Sequence, residues 1–134
     1  YLPNVDVVVK AAAPLDFRPV EAAPEKIKKG SGLKVSFEPT PDILGEIGKS
    51  KNGMVLVGFA AETENHIEYG IEKLRAKNLD LIVIDGVSGP DSAFDGDTSQ
   101  AIIVGSNGDR EDLPMMSKFE VAHRIIDRIM PLLS

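Results

Sequence analysis

Short apolar runs alternate with helix-like segments along the chain. Runs at residues 5–9, 54–57, 79–84 and 101–104 are rich in valine, isoleucine and leucine, which is typical of strands covered on both faces. Helices are predicted at residues 41–49 and 64–77, the second with an apolar stripe at helical spacing. The alternation predicts an α/β fold with a Rossmann-like, mostly parallel sheet flanked by helices.

Capping and turn residues indicate where some of these elements begin and end. Thr40 is the expected N-cap of the first helix, and Pro41 suits its first helical position. Asn107-Gly108 is a type I′ turn signal, which predicts a carboxyl-terminal β-hairpin in which residues 110–113 pair back.

A last helix is predicted to begin after Ser117. Ser117 and Glu120 have the spacing of a capping box, in which each side chain bonds the backbone N–H of the other residue. The expected buried face of this helix consists of Val121, Ile125, Ile129 and Leu132.

Small and polar residues directly follow three of the predicted strands, at residues 11–16, 58–63 and 85–89. Parallel α/β sheets bind ligands beyond the carboxyl ends of their strands. We therefore expect these three segments to form one ligand site.

The composition narrows the classes of function. The length of 134 residues suits one domain with its own core, and the absence of cysteine excludes disulfides, thiolate nucleophiles and zinc–thiolate sites. The net charge of −6 argues against a general nucleic-acid binder, and no apolar window is long enough to span a membrane. The sequence therefore predicts a cytoplasmic protein without a nucleic-acid or membrane partner.

A cluster of three lysines lies in the long proline- and glycine-rich connection of residues 19–40. Lys26, Lys28 and Lys29 precede Gly30 and form either a solvated basic turn or a mobile flap that closes over phosphates. Neither of the two common phosphate-loop patterns, GxxxxGK[ST] and GxGxxG, occurs in the chain.

Five further residues each allow a structural and a functional interpretation. Lys73 and Lys77, one turn apart, either stabilise the carboxyl end of their helix or contact a triphosphate. Asp16 either caps a turn or accepts hydrogen bonds from a nucleotide, and Phe59 either packs in the core or stacks on a base. Asp85, at a strand end, is either structural or a Mg²⁺ ligand.

Five motifs occur in an order that is specific to one family. They are Ala12-Ala13-Pro14-Leu15-Asp16-Phe17-Arg18-Pro19, Lys26-Ile27-Lys28-Lys29, Thr40-Pro41-Asp42-Ile43-Leu44, Gly58-Phe59-Ala60-Ala61-Glu62-Thr63 and Lys73-x-x-x-Lys77-Asn78-Leu79-Asp80. Together they resemble phosphopantothenate–cysteine ligase, also called phosphopantothenoylcysteine synthetase, the second activity of the bifunctional coenzyme A biosynthesis flavoproteins of bacteria. The resemblance extends over about residues 5–130 and identifies residues 1–134 as the carboxyl-terminal part of a CTP-dependent synthetase domain.

The resemblance implies a two-step ligation within a homodimer. The carboxylate of 4′-phosphopantothenate attacks the α-phosphate of CTP, giving an acyl-cytidylate and pyrophosphate. The amine of L-cysteine then attacks the acyl carbon and releases CMP. Mg²⁺ is expected with the triphosphate, and FMN only if a decarboxylase domain precedes this one.

The resemblance also assigns residues to roles. Lys26 would be the catalytic residue, binding CTP and aiding turnover of the acyl-cytidylate. Ala12 and Ala13 would contact phosphopantothenate across the dimer interface. The remaining nucleotide-binding residues would be Asp16, Pro41, Asp42, Ile43, Leu44, Phe59, Lys73 and Lys77.

The chain departs from the family pattern in two respects. Ile84-Asp85-Gly86 stands where the family usually has Ala-Asn-Asp, and an aspartate cannot donate a hydrogen bond as an asparagine amide does. The amino-terminal half of the family's domain is also missing, so we expect this chain to bind CTP without completing ligation. A non-catalytic nucleotide-binding module, or a fragment that keeps only the CTP site, is the alternative.

Overall fold

The protein is described from a computed structural model that covers residues 2–21, 25–26, 34–62, 66–86 and 96–133. In chain order its elements are β1 (Val7–Lys10), β2 (Phe17–Pro19), β3 (Phe37–Pro39), α1 (Ile43–Lys49), β4 (Val55–Glu62), α2 (His66–Ala76), β5 (Leu81–Gly86), β6 (Thr98–Ser99), β7 (Ala101–Gly105), β8 (Arg110–Asp112), β9 (Met116–Ser117) and α3 (Lys118–Ile129). Short 3₁₀ turns at Leu2–Asn4 and Met130–Leu133 precede β1 and follow α3. None of the helices in these ranges is long and apolar enough to cross a lipid bilayer.

A mixed five-stranded sheet with the order β1-β4-β5-β7-β8 forms the centre of the fold. β1, β4 and β5 are parallel, whereas β7 and β8 run antiparallel to their neighbours. The predicted Rossmann-like sheet with flanking helices is therefore confirmed, and β7–β8 is the predicted carboxyl-terminal hairpin. Two further ribbons, β2–β3 and β6–β9, lie outside the main sheet.

The alternation of side chains along the strands produces one core on each face of the sheet. Leu56, Ile82 and Ile84 point to the face covered by α1 and α2, whereas Val57 and Val83 point to the face covered by α3. All five are fully buried, and each such side chain contributes about 1.5–3 kcal/mol relative to exposure. Burial on both faces explains why these strands are continuous apolar runs.

The start of α1 corrects one sequence prediction. Asp42, rather than Thr40, is the N-cap, because its side chain accepts a hydrogen bond from the backbone N–H of Gly45 (3.1 Å). The Thr40 hydroxyl instead donates to the backbone carbonyl of Leu15. Pro41 consequently precedes the helix, which begins at Ile43.

The turn between β7 and β8 also differs from the expected type I′ turn. A type I′ turn needs positive φ at both central residues, but Asn78 is the one non-glycine residue with positive φ among the described positions, so Asn107 does not fit. The turn is closed by the N–H of Gly108 donating to the carbonyl of Gly105 (3.0 Å), and Gly108 alone adopts the left-handed conformation, with φ of 88°.

The last helix begins as predicted but ends earlier. Ser117 and Glu120 form the complete capping box. Val121, Ile125 and Ile129 are buried, whereas Leu132 is 45% exposed, so its prediction as a core residue is wrong. The reason is that the backbone tightens into a 3₁₀ turn at Met130–Leu133, which breaks the α-helical spacing on which the prediction rests.

The carboxyl end of α2 packs directly on α1. Asn78 adopts φ of 53°, and the N–H of Leu79 donates to the carbonyl of Leu74 (2.9 Å), which together end α2 in a Schellman-type cap. A Cβ at Gly48 would lie 1.9 Å from the carbonyl oxygen of Lys77, so only glycine allows this approach. The amide of Asn78 also donates to the carbonyl of Gly48 (3.0 Å). The junction fixes the backbone of Lys77 against α1.

Candidate nucleotide site

The carboxyl ends of three parallel strands lie on one edge of the sheet. The register pairs Lys10 of β1 with Gly58 of β4, and Ala61 of β4 with Asp85 of β5. The carboxyl ends of these strands therefore lie on the same side of the sheet, where α/β sheets bind their ligands. Ala12 and Ala13 come directly after β1 and are exposed at this edge.

Two hydrogen bonds hold the segment after β1 against the segment before α1. The backbone N–H of Thr40 donates to the carbonyl of Asp16 (2.9 Å), and the Thr40 hydroxyl donates to the carbonyl of Leu15. The β2–β3 ribbon begins directly next to these contacts, because its first pair, Phe17 and Pro39, follows Asp16 and precedes Thr40 in the chain. Asp16, whose side chain is exposed, is thus placed next to the predicted nucleotide-binding residues 41–44.

Asp42 connects α1 with α2 through an ion pair. Its Oδ1 lies 2.9 Å from Nζ of Lys77, and the two side chains are 55% and 29% exposed. The hydrogen bond from the Lys77 ammonium, together with the one from the N–H of Gly45, holds the pKa of the Asp42 carboxyl below its ordinary value of 3.8, against the opposing effect of partial burial. The pair brings together two residues that the resemblance assigns to the nucleotide.

Lys10 is a third charged residue in this cluster. It ends β1, donates from Nζ to the carbonyl of Ala12 (3.1 Å), and its charge further lowers the pKa of Asp42. Sequence reasoning missed Lys10. A lysine at the end of an otherwise β-branched strand, directly before the small residues of the predicted site, was the available signal.

A groove of about 450 Å³ runs along the outer side of α2. It is lined by Tyr69, Glu72, Lys73, Ala76 and Lys77. Lys73 and Lys77 thus border one concave surface, as two lysines at i and i+4 on one helix face should. Lysine ammonium groups at the border of a groove can act as point charges toward the phosphates of a nucleotide.

Phe59 and Leu44 lie apart from this groove, in the core. Phe59 belongs to the side of β4 that faces α3 and packs, partly buried, against the cluster around Val57 and Val83. Leu44 is buried on the opposite side, where it anchors α1 to the sheet. Ile43, the first residue of α1, is 49% exposed and close to the Asp42–Lys77 pair in sequence.

The connection between β2 and β3 carries Lys26. Its side chain is exposed. Lys28 and Lys29, as well as Gly30, lie outside the described residues. Arg18, at the base of the ribbon, is paired with Glu38 (2.7 Å).

Asp85 makes a contact that the sequence did not suggest. The hydroxyl of Ser99, on β6, donates to its carboxylate, which ties the end of β5 to the β6–β9 ribbon. Within the described ranges, no group of three or more His, Cys, Asp or Glu side chains could hold a metal ion. Of the two histidines, His123 is exposed and its ring contacts Phe119, whereas the side chain of His66 lies outside the described part of the structure.

The chain is similar to proteins of coenzyme A biosynthesis. It is 41% identical over 128 residues to the Coenzyme A biosynthesis bifunctional protein CoaBC of Bacillus subtilis, which covers 95% of this chain and 32% of that protein. It is also 38% identical over 129 residues to a cysteine/cysteine sulfinic acid decarboxylase of an unknown prokaryotic organism, covering 95% of this chain and 36% of that protein. The chain therefore spans about a third of the length of these curated relatives.

The fold also matches a solved domain. The crystal structure of the C-terminal domain of CoaBC superposes with a TM-score of 0.78 at 34% sequence identity, over 98% of this chain and 56% of that one. A family model described as DNA/pantothenate metabolism flavoprotein C-terminal domain matches residues 1–132. Because that match takes in nearly the whole chain, the protein belongs to the family of DNA/pantothenate metabolism flavoprotein C-terminal domains.

Proposed function

We propose that this chain supplies the CTP-binding side of a phosphopantothenate–cysteine ligase. The observation that carries the proposal is the convergence of residues from three separate segments. Asp16 is tied to the start of α1, and Asp42 at that start is paired with Lys77, which borders the groove of α2. In a chain that belongs to this family, such a cluster suits a nucleoside triphosphate better than a purely structural role.

The proposed reaction needs positive charge close to the phosphates. The carboxylate of 4′-phosphopantothenate forms a bond to the α-phosphorus of CTP as the bond to pyrophosphate breaks. The amine of L-cysteine then bonds to the acyl carbon as CMP leaves. An anion that attacks a polyanion is repelled unless cations lie close by. Lys73 and Lys77 would offset the charge of the phosphates, and Lys26 would approach from the β2–β3 connection.

Mg²⁺ would be coordinated by the phosphate oxygens of the nucleotide. The described residues offer no cluster of carboxylates and histidines for it, and Mg²⁺ usually binds through substrate phosphates plus one or two carboxylates. Its contribution would be further neutralisation of the triphosphate. FMN enters the proposal only if a decarboxylase domain accompanies this one.

A second copy of the chain would complete the acyl-substrate side, within a cytoplasmic homodimer. The β2–β3 ribbon and its flanks expose five large apolar side chains, namely Leu15, Phe17, Val20, Val35 and Phe37. Exposed apolar patches of this kind mark interaction surfaces. Ala12 and Ala13 lie a few residues before this patch, so a partner that covers the ribbon would also be close to them.

Calorimetric titration of the protein with CTP and Mg²⁺ tests the nucleotide site. We expect binding, and Lys77→Gln should weaken it by about tenfold or more, because a hydrogen bond to a charged group contributes about 1.5–3 kcal/mol and each 1.4 kcal/mol is a factor of about ten. Lys49→Gln is the matched control, since Lys49 is an exposed lysine at the far end of α1. The Lys49→Gln variant should bind CTP with the affinity of the unaltered protein.

The same preparation tests for the first step of ligation. Adding 4′-phosphopantothenate and cysteine to the CTP-bound protein tests for pyrophosphate release. CTP binding without release is the result expected of this chain by itself, and release that depends on 4′-phosphopantothenate would show that the chain also catalyses the first step. Absence of CTP binding, or equal losses in both lysine variants, contradicts the proposed site. ATP titrated in parallel establishes which nucleotide is preferred.

A further inference from the structure

Lys77 is held at both ends of its side chain. Its backbone is fixed by the contact of its carbonyl with Gly48 and by the hydrogen bond between Asn78 and the Gly48 carbonyl. Its ammonium reaches the other end of α1, where it meets the carboxylate of Asp42 at 2.9 Å. The position of the ammonium is therefore set by the fold, and Asp42 is the anion that faces it.

We propose that Asp42 is an internal counter-ion, whose carboxylate competes with the phosphates of a nucleoside triphosphate for the Lys77 ammonium. The inference rests on the proposed nucleotide site, and it concerns how that site is regulated. An ammonium has three donors, so a phosphate that shares Lys77 with Asp42 is held beside a second negative charge. A phosphate that displaces Asp42 must break the ion pair. Both arrangements lower the affinity for the phosphate.

Because Asp42 is also the N-cap of α1, a test of its charge must leave the cap in place. Asparagine caps helices about as well as aspartate, because its side-chain oxygen accepts the same hydrogen bond from the backbone. Asp42→Asn therefore keeps the bond from Gly45 and removes the charge. If Asp42 had only a structural role, Asp42→Asn would leave anion binding unchanged.

The competition has a consequence for turnover. A reaction that cleaves a triphosphate between its α- and β-phosphates produces two anionic products, both of which must leave the groove that Lys73 and Lys77 border. A carboxylate that reoccupies Lys77 lowers the affinity for inorganic pyrophosphate by the same mechanism as for the substrate. Asp42 would thus favour product release at some cost in nucleotide affinity.

Titration of CTP, tripolyphosphate and pyrophosphate into matched variants tests the proposal. Asp42→Asn should tighten binding of all three by about two- to fivefold, since an exposed ion pair is typically worth about 0.2–1 kcal/mol. In a Lys77→Gln background the gain should be lost. Glu46→Gln, which removes an exposed negative charge from the same helix, is the control for net charge and should give no such gain.

The outcomes distinguish this inference from the proposed function. If CTP binds but Asp42→Asn weakens binding or leaves it unchanged, the counter-ion is refuted and the nucleotide site stands. An equal gain with and without Lys77 also refutes it, because that result indicates general repulsion. If tripolyphosphate binds with the expected gain and CTP does not, the counter-ion stands and the proposed function fails. If no anion binds, both fail.

Discussion

Asp42 joins a structural and an electrostatic role in one side chain. Through Oδ1 it accepts from the N–H of Gly45, which caps α1, and it also meets the ammonium of Lys77. Both contacts favour the ionised form, so they lower the pKa of the carboxyl. The stability of the protein must therefore depend on whether this group is charged.

We expect Asp42 to contribute to acid sensitivity. A carboxyl whose folded-state pKa is depressed stabilises the protein above its ordinary pKa, here 3.8, and this stabilisation is lost as the pH falls through the lower folded value. Asp42→Asn should thus lose less unfolding free energy than the unaltered protein between about pH 6 and pH 3. Urea denaturation at several pH values measures this loss of unfolding free energy, and Lys77→Gln should also show a smaller loss than the unaltered protein. Parallel curves for Asp42→Asn and the unaltered protein would contradict the assignment.

At the scale of single elements, α3 depends on its capping box. The Ser117 side chain accepts a hydrogen bond from the backbone N–H of Glu120 (3.2 Å), and the Glu120 carboxylate accepts one from the backbone N–H of Ser117 (2.9 Å). Ser117→Ala should lower the free energy of unfolding by about 1 kcal/mol, because it leaves helix donors unsatisfied. Chemical denaturation followed by circular dichroism measures the loss. Ser117→Thr keeps the hydroxyl and should lose less; equal losses would show that the cap is not the cause.

The elements also show what sequence patterns can and cannot predict. Apolar runs and helical stripes located the central strands, α2 and α3, because burial on a sheet imposes those patterns directly. The strand ends were not predicted, since β4 continues to Glu62 and β5 to Gly86, through small and polar residues that were expected to follow the strands. The pairing of the two ribbon strands was not predicted, since β2 (Phe17–Pro19) and β3 (Phe37–Pro39) have three residues each, end in proline and are mostly exposed. So short and exposed a pair carries almost no periodic signal.

The candidate site was predictable only in part, for a similar reason. The motifs located Asp16, Asp42 and Lys77 along the chain, but spacing alone could not pair Asp42 with Lys77. That contact depends on how α2 crosses α1, which Gly48 and Asn78 determine. Asp42 was also expected inside the helix rather than as its cap, because Thr40 also offers a capping side chain and Pro41 suits the first helical position.

At the scale of the whole molecule, the exposed ribbon predicts self-association. Replacing Phe17, which is 58% exposed, by lysine should place charge in the proposed dimer interface and shift the protein toward monomers. Sedimentation velocity measures the shift. Phe119→Lys is the matched control, because Phe119 is also exposed but belongs to a different element, α3. If the Phe119 variant dissociates and the Phe17 variant does not, the interface is on α3.

The Asp42–Lys77 pair has a consequence for folding kinetics. The two residues are 35 positions apart, and Thr40 bonds a carbonyl 25 positions before it. Contacts between distant positions require large loops to close, and both such contacts and parallel strand pairs slow folding. An anion that recognises this cluster therefore binds only the completed fold. Such a ligand slows loss of the native state and raises the melting temperature in proportion to the logarithm of its concentration.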